Sequence, residues 1–145
     1  MLIKRRAMLA GSTLMAASLL RGGAYAAGTP GLTTHVLDVS SGKPAEGVQI
    51  DFAELQGDAY KAVRTVHTNA DGRNAEPLLT AETMKVGQYQ LVFHVAAYFT
   101  RIGTALPNPP FLDKAVVQFG IADATSHYHV PILVSPWSYT TYRGS

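Results

Sequence analysis

The fold class this sequence predicts is all-β: an antiparallel β-sandwich of seven to eight strands with one short helix. Three observations point there. Short runs rich in β-branched and aromatic residues alternate in polarity, clusters of Gly, Pro, Asn and Asp separate them, and seven or so runs fill the chain from Leu32 onward. Leu32 to Val39 reads as the first strand, followed by the turn Ser40-Ser41-Gly42-Lys43-Pro44. Gly47 to Leu55 comes next, with Val48, Ile50 and Phe52 on one face. Tyr60 to Thr68 alternates again and runs into the turn signal Asn69-Ala70-Asp71-Gly72. Gly87 to Ala97 carries the strongest alternation, with Tyr89, Leu91, Phe93 and Val95 in step. A short helix is expected over Ala97 to Thr104. Pro107-Asn108-Pro109-Pro110 cannot lie inside a sheet. Ala115 to Ile121, Ser126 to Val134 and Trp137 to Tyr142 complete the strands.

Residues 1–26 read differently, as a secretory signal peptide, and residues 27–145 as one folded domain. Lys4-Arg5-Arg6 leads into the apolar stretch Ala7 to Leu20, and Ala24-Tyr25-Ala26 supplies a small-x-small cleavage site. The paired Arg5-Arg6 fits twin-arginine export, and a basic start fits ordinary Sec export as well. Either route takes the product out of the cytoplasm, to the periplasm. The leader carries Lys4, Arg5, Arg6 and Arg21 and no acidic residue. Without those four, eight basic groups face ten acidic ones, a formal charge near −2. No basic patch then argues for nucleic acid or for an anionic membrane surface. The sequence has no cysteine, which excludes a disulfide framework, a thiolate nucleophile and a cysteine-ligated metal. A cysteine-free exported domain of about 119 residues must rest on its core and on subunit contacts.

Chemistry-bearing residues are few. The histidines are His35, His67, His94, His127 and His129. In a strand, residues two apart share a face, so His127 and His129 point the same way and Tyr128 the other. Two such imidazoles, with His35 as a third, invite a zinc reading, although the helical and cysteine spacings of specific metal motifs are missing. The other reading is a metal-free acid–base site, since imidazole titrates near neutrality. Arg73, just after Asp71-Gly72, is either a solvated surface residue or a planar fork for a carbonyl-rich or anionic substrate. The last residues, Tyr139-Thr140-Thr141-Tyr142-Arg143-Gly144-Ser145, keep a strand pattern to the end and are expected to be ordered.

Taken in order, these pieces resemble the signatures of the 5-hydroxyisourate hydrolases, the transthyretin-related enzymes of urate degradation. They are Thr34-His35-Val36-Leu37-Asp38 with Gly42-Lys43-Pro44-Ala45, Asp71-Gly72-Arg73, His127-Tyr128-His129-Val130-Pro131 and Tyr142-Arg143-Gly144-Ser145. The resemblance spans Leu32 to Ser145 and implies a transthyretin-like sandwich. Its specificity lies in the final tetrapeptide, which the hormone carrier transthyretin lacks. It implies His35, His129 and Ser145 as catalytic residues and Arg73, Tyr142, Arg143 and Gly144 as substrate-binding residues. His127 stays outside that set. It also implies no metal and no cofactor, 5-hydroxyisourate as the small-molecule substrate, and a homotetramer with sites at the dimer–dimer interface. Asn108-Pro109-Pro110-Phe111 departs from the aromatic-Phe-Pro element that many relatives carry, which puts a loop in doubt. A small-molecule carrier and a cell-envelope interaction module are the rival classes. A serine-hydrolase reading fails because no Gly-x-Ser-x-Gly elbow is present.

Overall fold

The computed structural model describes residues 28–144; the leader read at residues 1–26 and the candidate Ser145 lie outside the described residues. Eight strands and one helix follow in the order β1 (Gly31–Asp38), β2 (Lys43–Pro44), β3 (Gln49–Gln56), β4 (Ala59–His67), β5 (Gly87–Phe93), α1 (Val95–Arg101), β6 (Ala115–Ile121), β7 (His127–Val134) and β8 (Tyr139–Thr141). They form two four-stranded sheets, β2-β1-β7-β8 and β4-β3-β5-β6, so the sandwich and its strand number stand as expected. Five of the six strand pairings are antiparallel, and the exception is β1 with β7, which run parallel from Gly31 opposite His127 to Asp38 opposite Val134. Parallel neighbours need a long crossover. Here the whole second sheet and α1 lie between them in sequence.

Alternation builds the core. Val48, Ile50 and Phe52 point inward from β3 and its approach, and Tyr89, Leu91 and Phe93 from β5, all 2 % exposed or less. Leu32, Val36, Ile132 and Val134 meet them from the other sheet. Burying side chains of this size contributes about 1.5–3 kcal/mol apiece before chain entropy is charged against it.

Two local expectations shift. Lys43-Pro44, expected within a turn, forms the short edge strand β2, where proline's missing N–H costs no internal ladder bond. The helix begins at Val95, two residues before the expected start, because the in-step Phe93 and Val95 carry a strand pattern across the true boundary. From there Val95, Ala96, Tyr98 and Phe99 bury one helical face. Gly103, at φ 88°, ends the helix with a bond from its N–H to the Thr100 carbonyl.

Asp38 holds the end of β1 in place. It is 1 % exposed and accepts bonds from Ser40, Ser41 and the Tyr98 hydroxyl, which ties β1 to α1. Burial alone would raise its pKa, but the Ser40 and Ser41 hydrogen bonds prevail and hold it below the usual carboxylate value.

Candidate active site

The outer face of the β2-β1-β7-β8 sheet collects the chemistry. Along β1, Leu32, Thr34, Val36 and Asp38 are buried, so the alternate residues Thr33, His35 and Leu37 stand on the opposite face. In β7 the same alternation buries Tyr128 and Val130 and leaves His127 and His129 half-buried outside. The parallel register sets Thr33 beside His129.

Arg73 arrives from distant sequence through a short bridge with His35, closed by the Val36 N–H bonding to the Gly72 carbonyl at 2.8 Å. The Asn69 side chain shapes this turn, accepting from the Asp71 and Arg73 amides at 3.0 and 3.1 Å. Gly72 sits at φ 73°, where a β-carbon would run into the Val36 carbonyl oxygen. Only glycine lets the turn lie this close to β1.

Gly144 comes from the other side. Its N–H donates to the His129 carbonyl at 2.7 Å, and a β-carbon there would stand 2.8 Å from the His129 ring carbon Cδ2. The Gly144 backbone thus packs directly on the imidazole. Gly144→Ala should push either the ring or the tail aside. The expected result is a displaced His129 ring resonance in NMR and a stability loss of about 1–3 kcal/mol. An unmoved resonance would mean that this contact does not position the ring.

Burial and the Arg73 charge keep His35 and His129 uncharged near neutrality. The His129 pKa is lowered to about 4, first by burial and then by the positive field of Arg73, with smaller contributions from His35 and His127. The His35 pKa is also lowered, by burial and then by Arg73, against an opposing hydrogen bond to the Asp71 backbone. Its Nε2 is buried with no partner among the described residues. A buried ring nitrogen without a partner is costly.

Two further expected substrate-binding side chains, Arg143 and Tyr142, follow on the C-terminal segment. The Arg143 guanidinium sits over the Tyr128 ring, 4.6 Å from its centroid, on the face away from His129. Tyr142 is 60 % exposed. His35, Arg73, His129 and the Gly144 backbone are therefore the expected site residues that the described fold brings together. Thr33 joins them unannounced by the sequence reading: its hydroxyl lies 2.8 Å from His129 Nδ1 and 3.3 Å from His127 Nε2. The available signal was its position two residues before His35 on the same strand face. Among the described residues, no three His, Asp or Glu side chains are arranged to hold a metal ion.

The arrangement offers two neutral imidazoles able to accept protons and a permanent cation to stabilise developing negative charge. Comparison with known proteins agrees in outline. The HIUase/Transthyretin family model matches residues 32–144. A Rhizobium meliloti protein named 5-hydroxyisourate hydrolase 2 is 55 % identical over 114 residues, covering 79 % of this chain and 95 % of that protein. The structure of a Klebsiella pneumoniae 5-hydroxyisourate hydrolase superposes with a TM-score of 0.66 at 34 % identity, covering 80 % of this chain and 99 % of that one. The structure of an (S)-allantoin synthase superposes with a TM-score of 0.75 at 43 % identity over 81 % of this chain, which spans only 44 % of that longer protein. On the match from residue 32 to residue 144 and the identity across nearly the whole of its relative, the chain belongs to the HIUase/Transthyretin family.

Proposed function

We propose that this protein is a 5-hydroxyisourate hydrolase that opens the cyclic amide of its substrate with water, giving 2-oxo-4-hydroxy-4-carboxy-5-ureidoimidazoline. The observation that carries the reading is the convergence of His35, Arg73 and His129 on one sheet face, with both imidazoles held neutral. It is supported by the name and near-full coverage of the Rhizobium meliloti relative. In this mechanism Arg73 orients the substrate and its charge stabilises the oxyanion that forms as water attacks the carbonyl. One imidazole takes the proton of the attacking water, and the imidazolium so formed delivers a proton, directly or through the other ring, to the departing ring nitrogen as the carbon–nitrogen bond breaks. Ser145 orients the water or relays its proton. The atoms balance without electron transfer, so the step calls for no redox cofactor, and the acid–base work is done by histidine without a metal ion.

The same reading includes a homotetramer with sites at the dimer–dimer interface. In this reading the half-buried outer face that carries His35, His127 and His129 is the surface a second subunit covers. Lys4-Arg5-Arg6, the apolar stretch and Ala24-Tyr25-Ala26 support removal of residues 1–26 on export and a periplasmic location for residues 27–145.

Deleting Arg143 to Ser145 tests the assignment. Hydrolysis should fall to the uncatalysed rate, because the backbone packed against His129 is lost together with Ser145. A carrier of the same fold would keep binding its ligand, and full hydrolysis by the shortened chain would overturn the reading.

A further inference from the structure

The hydroxyl of Thr33 lies between two ring nitrogens, and the polarity of that chain of hydrogen bonds can be worked out from its far end. His127 Nδ1 faces the Thr29 carbonyl oxygen at 3.2 Å. A carbonyl oxygen only accepts, so Nδ1 of His127 carries the proton. In the neutral ring, its Nε2 is then an acceptor, and the group facing it at 3.3 Å is the Thr33 hydroxyl. A hydroxyl has one proton to donate. With that proton given to His127, Thr33 Oγ1 meets His129 Nδ1 at 2.8 Å as an acceptor, and His129 must donate from Nδ1. The run Thr29 carbonyl, His127, Thr33, His129 is thus fixed in one direction by a backbone oxygen that cannot reverse its role. The hydrogen bond on one ring nitrogen decides what the other carries, so Nε2 of His129 is left as the free base.

We propose that Thr33 and His127 are positioning residues that hold His129 in its Nδ1–H tautomer and so make Nε2 the proton-accepting atom of the site. This deepens the hydrolase reading and rests on it for its catalytic meaning, while the tautomer itself can be measured without any substrate. His127 thereby gains a definite role although it never touches the reacting atoms. Uncharged rings at both His127 and His129 are preconditions, because an imidazolium has protons on both nitrogens. For His129, burial and the Arg73 charge secure this at neutral pH.

The test is nitrogen NMR of the purified protein labelled in its histidines, at pH 7.5, with Thr33→Val, Thr33→Ser and His127→Phe alongside. His129 should read as Nδ1–H in the unaltered protein and in Thr33→Ser. It should move towards Nε2–H in Thr33→Val, which keeps the shape and removes the acceptor. His127→Phe should move it the same way, because the Thr33 hydroxyl is then free to donate to His129; this variant also serves if Thr33→Val does not fold. Turnover of 5-hydroxyisourate should follow, with kcat about 10-fold lower in Thr33→Val, KM within about 3-fold, and recovery in Thr33→Ser. An Nε2–H tautomer in the unaltered protein, or a tautomer unmoved by the substitutions, overturns the proposal. If the tautomer shifts as stated but no version of the protein hydrolyses 5-hydroxyisourate, the positioning role stands and the hydrolase assignment falls.

Discussion

Replacing His129 by alanine should lower the turnover of 5-hydroxyisourate by about 10²–10⁴-fold, the usual worth of a positioned acid–base group. The fold should survive. His129 lies on the outer, half-buried face of β7, and the bond that ties the C-terminal segment to it runs from the Gly144 amide to the His129 carbonyl, which alanine retains. KM should change far less than kcat, since the ring acts on protons and not on substrate affinity. Circular dichroism and melting close to those of the parent protein, with collapsed kcat, is the outcome that assigns His129 to the chemistry. Near-parental turnover would remove it from the mechanism.

Arg73→Ala should cost about 10²–10³-fold in kcat/KM, the scale for losing one donor to a developing oxyanion. It should also move the pH profile. Arg73 is the largest influence after burial that lowers the pKa of both His129 and His35. Both must be neutral to accept protons, so the acid limb of kcat/KM in the parent protein should lie below the ordinary imidazole value near 6.5, with His129 holding to about 4. Taking the arginine away removes a charge that opposes protonation. Both pKa values then rise, and the acid limb moves up in pH. Arg73→Lys separates the two effects: the charge remains and the limb stays low, while loss of the planar fork still reduces the rate. An Arg73→Ala profile with an unmoved acid limb would mean that its charge does not reach the histidines.

The same lowered pKa bears on stability. Between about 6.5 and 4 the unfolded chain binds a proton at His129 that the folded chain refuses. The contribution of this group is therefore complete above about 6.5 and is lost as pH falls towards 4.

Strands that alternate over a full face were legible in the sequence. Ile50 with Phe52 and Leu91 with Phe93 show period two without interruption, and they are the buried centre of the sandwich. The start of α1 was not, because Phe93 and Val95 satisfy a strand and a helix at once. The parallel pairing of β1 with β7 leaves no local trace, since its partners lie about a hundred positions apart and no turn signal joins them. The site divides in the same way. His127 and His129 shared a face by spacing alone, whereas the approach of Arg73 to His35 was implied only by family resemblance, for nothing near residue 73 says which strand it will meet. The tail shows the limit of a motif. Tyr142, Arg143 and Gly144 are consecutive in sequence, yet Gly144 packs against His129 while Arg143 lies over the Tyr128 ring on the other side.

The most direct measurement is the decay of 5-hydroxyisourate absorbance, with the compound generated in place from urate and its oxidase, in the presence and absence of the purified protein. Catalytic amounts of protein should accelerate the decay many-fold, and the acceleration should disappear in His129→Ala. Decay no faster than in the protein-free control, at protein concentrations that bind the substrate, would contradict the hydrolase reading.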